Sequence, residues 1–185
     1  MLRITVPAVE ESELWDEATE TFVKNPGVKE QTLQLEHSLI SISKWESKWC
    51  KPFISKDEKT DEETIDYIKC MTINQNVDPS VYDHLTTDNL KDIRDYINAP
   101  MTATTVREIK SNNSKEIVTS ELIYYWMISL QIPVEFDKWH LNRLMTLIKV
   151  FNVKNTPPKK MSRRELMSRN AALNAARRKQ LNSKG

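Results

Sequence analysis

Leu39-Ile40-Ser41-Ile42-Ser43-Lys44-Trp45-Glu46-Ser47-Lys48-Trp49, closed by Pro52, is the stretch on which the fold turns. Leu39, Ile42, Trp45 and Trp49 are spaced by 3, 3 and 4 residues, which places them on one stripe of an α-helix. Just upstream, Thr32-Leu33-Gln34-Leu35-Glu36 alternates apolar and polar side chains, the period of a half-buried strand. The period therefore changes from two to 3.6 near Ser38. A strand feeding a buried aromatic helix argues for an α+β unit in which a small sheet is covered by helices.

Working outward, Leu2-Arg3-Ile4-Thr5-Val6 alternates in the same way and predicts a second strand, ended by Pro7. Residues 10–24 are acidic, and Leu14, Trp15, Ala18 and Phe22 share a helical face, so a short amphipathic helix is expected there. Asn25-Pro26-Gly27 is a turn signal. Thr60 followed by Glu63 has capping-box spacing and predicts a helix carrying Ile65, Ile68 and Met71. Asp78-Pro79 starts a short turn, and Thr87-Asp88 is expected to cap a helix with Leu90, Ile93, Tyr96 and Ile97. Two β-rich runs within 102–119, around Ser111-Asn112-Asn113-Ser114, read as a hairpin. Leu122 to Leu130 is apolar on nearly every side and predicts a central, buried helix. A last core helix is expected from about Asp137 to Phe151, with Trp139, Leu144, Leu147, Ile148 and Phe151 inward. The expected fold is α+β and mainly helical, with a small antiparallel sheet built from 2–6, 32–37 and the 103–118 hairpin.

Asn155-Thr156-Pro157-Pro158 divides the chain, because two consecutive prolines forbid helix there. The expected organisation is a folded body, 1–153, and a basic helical tail, 154–185. Charge supports the division. From Lys154 onward there are ten Lys or Arg and one acid, Glu165, a balance of +9; with +1 for the whole chain, residues 1–153 carry −8. Ser162 and Glu165 repeat the capping-box spacing, and the Ala-rich run 171–176 favours helix to about Asn182. Leu166, Met167, Leu173 and Leu181 give this helix only a thin apolar face, so it needs something to dock on.

The residues that carry chemistry in other proteins are sparse here. Only Gly27 and Gly185 are glycine, which excludes the Gly-rich phosphate-binding loops. Cys50 and Cys70 are read as reduced thiols in or near the core. His37, His84 and His140 have no acid or nucleophile at a recognisable spacing, and His140 is read as structural. The acidic run around Asp57, Glu58, Asp61, Glu62 and Glu63 lacks the bend glycine of a calcium loop and is read as a solvated charge run. No run is long and apolar enough for a membrane span, and the first residues lack a signal peptide's apolar stretch. No enzyme activity, cofactor, metal or membrane partner is expected. The binding candidates are Lys159, Lys160, Arg163, Arg164, Arg169, Arg177, Arg178 and Lys179 in the tail, suited to an acidic partner, and an aromatic face of Trp45, Trp49 and Phe53. The tail has no aromatic side chain, so any nucleic-acid binding would be phosphate-driven and non-specific.

Two stretches, LEHSLISISKWESKWCKPF (Leu35 to Phe53) and WHLNRLMTLIKVFNVKNTPPKKMSRRELMSRNAALNAARRKQLNSKG (Trp139 to Gly185), resemble a family of small proteins from the tail-morphogenesis region of tailed bacteriophages. They span about a third of the chain. The resemblance implies the tail assembly chaperone class: a non-enzymatic protein of the host cytoplasm that binds the long helical tape-measure protein during tail assembly, and itself associates. It carries over no catalytic residue. The alternatives are a virion structural subunit, such as a connector or baseplate-associated protein, and a nucleic-acid-binding packaging or regulatory protein.

Overall fold

The structure, a computed structural model, describes residues 1–16, 21–25, 27–106, 117–155 and 162–181. It is mainly helical α+β, and its contacts divide it into two compact units, Met1–Phe151 and Asn152–Gly185.

The first unit begins with β1 (Leu2–Val6), which pairs antiparallel with β4 (Gln31–Leu35) in the register Leu2↔Leu35 to Val6↔Gln31. The period-two pattern has its expected result: Ile4, Val6, Leu33 and Leu35 are buried on one face. Between these strands lies a second antiparallel pair, β2 (Ser12–Asp16) and β3 (Thr21–Asn25), with Ser12 opposite Asn25 and Asp16 opposite Thr21. This corrects the helix expected over 10–24. The 14/15/18/22 spacing fits a helical face, but Thr21, Phe22 and Val23 are strand formers, and cross-strand hydrogen bonds outweigh a weak helical preference. The Val9↔Val28 bridge closes the base of this ribbon through reciprocal N–H to carbonyl bonds of 2.8 Å. It is also why residue 27 is glycine: a Cβ there would sit 2.8 Å from the Glu11 nitrogen and 2.9 Å from the Val9 oxygen.

Ser38 caps α1 (Leu39–Trp49), its side chain accepting from the Ser41 amide, and Cys50 ends the helix in the left-handed conformation at φ 51°. Cys50 is exposed and Cys70 half-buried. Thr60 and Glu63 form the predicted capping box of α2 (Asp61–Met71). The chain then returns to β4, where Glu36 donates to the Met71 carbonyl and Ile73 to the Gln34 carbonyl. A 3-10 turn, Pro79–His84, leads to α3 (Thr87–Asn98), whose capping box uses Thr86 and Asn89, one position earlier than the expected cap.

The expected hairpin falls largely on 107–116, outside the described residues; its described flanks, 102–106 and 117–119, contain no strand. Thr119 caps α4 (Ser120–Ser129). This helix is not buried all round. Ile123 and Met127 face the core, whereas Tyr125 is 63% and Ile128 70% exposed. The last core helix also starts later than expected: a 3-10 turn, Val134–Lys138, and the Ser38↔His140 bridge precede α5 (Leu141–Asn155). Leu141, Leu144 and Ile148 are its buried positions. The core joins β1, β4 and these helices around Trp45, Leu39, Ile42, Ile68, Met71, Val81, Ile123, Met127 and Leu144.

In the second unit the main element is α6 (Arg163–Leu181), 19 residues long with none buried. Its capping box is formed as predicted: the Ser162 amide donates to Glu165 Oε2 at 2.9 Å and the Glu165 amide to Ser162 Oγ at 3.2 Å.

Candidate functional site

The two candidate binding regions differ in kind. The aromatic one is built where α1 and α2 meet. Trp45 is 1% exposed, and its indole N–H donates to the Glu63 carbonyl at 2.9 Å, so it is a core residue with a satisfied polar edge. Trp49 and Phe53 are half-buried against it, with ring centroids 6.2 and 5.2 Å from Trp45. Trp49 donates to Asp66 Oδ2 at 2.9 Å, and Lys48 pairs with the other oxygen. Burial opposes the charge of Asp66, but these two bonds leave its carboxyl below the usual range. Lys51 pairs with Glu63 at 2.5 Å; that bond, with the Thr60 amide, holds Glu63 below its ordinary range. Lys59 lies over the Phe53 ring, 4.6 Å from its centroid. A cleft of about 290 Å³ opens here, lined by Trp45, Lys51, Pro52, Lys59 and Glu63 among others. Lys51, Glu63 and Lys59 are already engaged with one another or with rings, and Asp57 and Glu58 add acid at its rim, so what it offers a ligand is a mixed-charge surface.

Sequence reasoning missed the polar groups that knit this region together. Glu46 is buried, and each of its carboxylate oxygens accepts a backbone amide from a different segment: Phe53 at 2.7 Å and Ser120 at 2.7 Å. One side chain of α1 thereby fixes both the turn after that helix and the start of α4, where an N-terminal amide has no partner within its own helix. Its one sequence signal is an acid at position 46 inside the apolar 42/45/49 stripe. Sequence also gave no sign that His37 and His140 meet. Their rings stack edge to face at 5.0 Å, His37 Nδ1 contacts the Tyr67 hydroxyl at 2.5 Å, and His140 Nε2 lies 3.0 Å from the Tyr96 carbonyl. Burial, with His140 beside it, pushes His37 down to about 3, and burial lowers His140 as well. Both are therefore neutral near pH 7, and they act as spacers at the junction where Leu141 donates to the His37 carbonyl.

The basic region is α6. Arg163, Arg164, Arg169, Arg177, Arg178 and Lys179 lie on it, all exposed; Lys159 and Lys160 lie outside the described residues. The charges gather at its two ends, separated by Asn170 to Ala176, which carries none. Arg163 and Arg164 occupy the first turn, where the helix dipole disfavours cations, so helix stability does not account for their placement. Leu166, Met167, Leu173 and Leu181 are 46–76% exposed.

Among the described residues, no group of three or more His, Cys, Asp or Glu is gathered to hold a metal ion, and no helix is long and apolar enough to cross a membrane. Comparison with known proteins returns no matching family model, no matching curated protein and no matching solved structure.

Proposed function

We propose that this chain is a non-enzymatic assembly protein of a tailed bacteriophage, of the tail assembly chaperone class, which engages a long helical tape-measure protein in the host cytoplasm while the tail forms. The observation that carries this reading is α6: a helix started by its own capping box, none of whose 19 residues is buried, with cations at both ends and apolar side chains in solvent. Such a helix is marginal alone and gains order from what it binds. Ion pairs of exposed residues contribute about 0–1 kcal/mol each, which suits a contact that must later be released. The resemblance of Leu35–Phe53 and Trp139–Gly185 to tail-morphogenesis proteins supplies the class of client.

The test joins two measurements. A chaperone is absent from purified virions by mass spectrometry and binds its tape-measure protein in a salt-sensitive way that deletion of 157–185 weakens. Presence in virions at fixed copy number would assign the chain to a structural role instead. Binding to arbitrary DNA, with affinity falling steeply as salt rises, would assign it to nucleic acid.

A further inference from the structure

We infer that the outward face of α4 is the receptor for α6 of a second copy of this chain, so that copies join head to tail. The inference rests on the reading above only in its expectation of self-association.

The observation is the mismatch between the composition of α4 and its surroundings. Ser120–Ser129 carries one charged side chain, Glu121, a composition that suits a helix buried all round. Yet only Ser120, Ile123 and Met127 are buried, and Tyr125 and Ile128 stand in solvent beside the half-buried Tyr124. Glu121, Tyr125 and Ile128, spaced by four and three, lie on one stripe. Beyond the following turn, Val134 is 58% exposed and Glu135 is exposed too. An apolar helix face left to water is a common mark of an interaction surface.

The occupant is argued from charge and order along the chain. Residues 1–153 carry −8 and residues 154–185 carry +9, so unlike copies of these segments attract. On α4 the acid Glu121 shares its stripe with the exposed Tyr125 and Ile128, and the 3-10 turn that follows adds the exposed Val134 and Glu135. Along α6, Arg163 and Arg164 come first, Leu166, Met167 and Leu173 follow with Arg169 among them, and Arg177, Arg178 and Lys179 close the helix. Leu166 and Leu173 are seven residues apart, about 10 Å at 1.5 Å per residue, and so share one stripe of α6. Apolar stripes would meet while the cations of α6 reach the flanking carboxylates. A donor on one copy and a receptor on the next form a heterologous contact, which leaves one of each free at the ends and can continue.

The experiment uses the full chain and follows mass against concentration by sedimentation velocity. The native chain should form concentration-dependent oligomers that dissociate as salt rises. Ile128→Asp and, separately, Tyr125→Ser should weaken association about tenfold or more while leaving the melting temperature unchanged. The decisive arm mixes two variants: Ile128→Asp, with α6 intact, and Arg177→Glu/Arg178→Glu, with α4 intact. Each alone should remain monomeric, and together they should form a heterodimer that grows no further. A native chain that is monomeric at every concentration and salt would overturn the inference. So would an Ile128→Asp protein that associates normally, or a mixture that fails to combine. None of these outcomes depends on whether the chain is found in virions or binds a tape-measure protein.

Discussion

Helices α1 and α6 differ in where their order comes from. In α1, 11 residues bury Leu39, Ser41, Ile42, Trp45 and Glu46, and the indole and carboxylate bind backbone groups of other segments. In α6, 19 residues bury nothing, and the helix rests on a capping box and an alanine-rich middle. Length and local propensity thus do not decide which helix is structural. Burial that removes apolar surface and satisfies polar groups together does.

The contrast is most open to challenge at Trp45. Trp45→Ala should destabilise the chain by about 3–5 kcal/mol, chiefly through the cavity it leaves, as read by urea unfolding. A loss under about 1 kcal/mol would mean that α1 is no more structural than α6. Glu46→Ala should cost about 2–4 kcal/mol, since two backbone amides lose their acceptor. Glu46→Gln, which keeps one acceptor oxygen, should cost less, and equal losses for the two variants would remove the bridging role.

Acid should weaken the same unit. The folded pKa values of His37 and His140 lie below that of a free imidazole, so the unfolded chain takes up protons that the native chain refuses. Their contribution is complete above about pH 6.5 and declines as pH falls toward the folded value of His37, about 3, with a limiting slope of about 1.4 kcal/mol per pH unit for each proton. A melting temperature that is flat from pH 7 to 5 would contradict this, and His37→Gln should reduce the slope. The smallest effect belongs to α6: Leu173→Ala should change unfolding free energy by less than about 0.5 kcal/mol.

What could be read in advance follows from the range of the forces involved. The strands at 2–6 and 31–35, the Thr60 and Ser162 capping boxes and the Trp45 stripe were legible because their signals lie within a few residues. The β2–β3 pair was not, because Leu14, Trp15 and Phe22 satisfy a helical spacing until a partner strand competes for the backbone. Nor was the half-exposure of α4, since composition states what a helix could bury and not what covers it. Glu46 and the His37–His140 pair were hidden for a simpler reason. One of Glu46's two partners, Ser120, lies 74 residues away, and His37 and His140 are separated by all of α1 to α4, so no local pattern connects them.

The way α1 ends makes the chain a reporter of its own state. Cys50 stands at the surface immediately after Trp49, while Cys70 is half-buried with its thiol pushed up by that burial. Because the thiolate is the reacting species, an alkylating dye should couple at Cys50 far faster than at Cys70. The dye then sits beside the Trp45–Trp49 stack, where indole emission and dye quenching would follow the opening of the α1–α2 junction without any engineered residue.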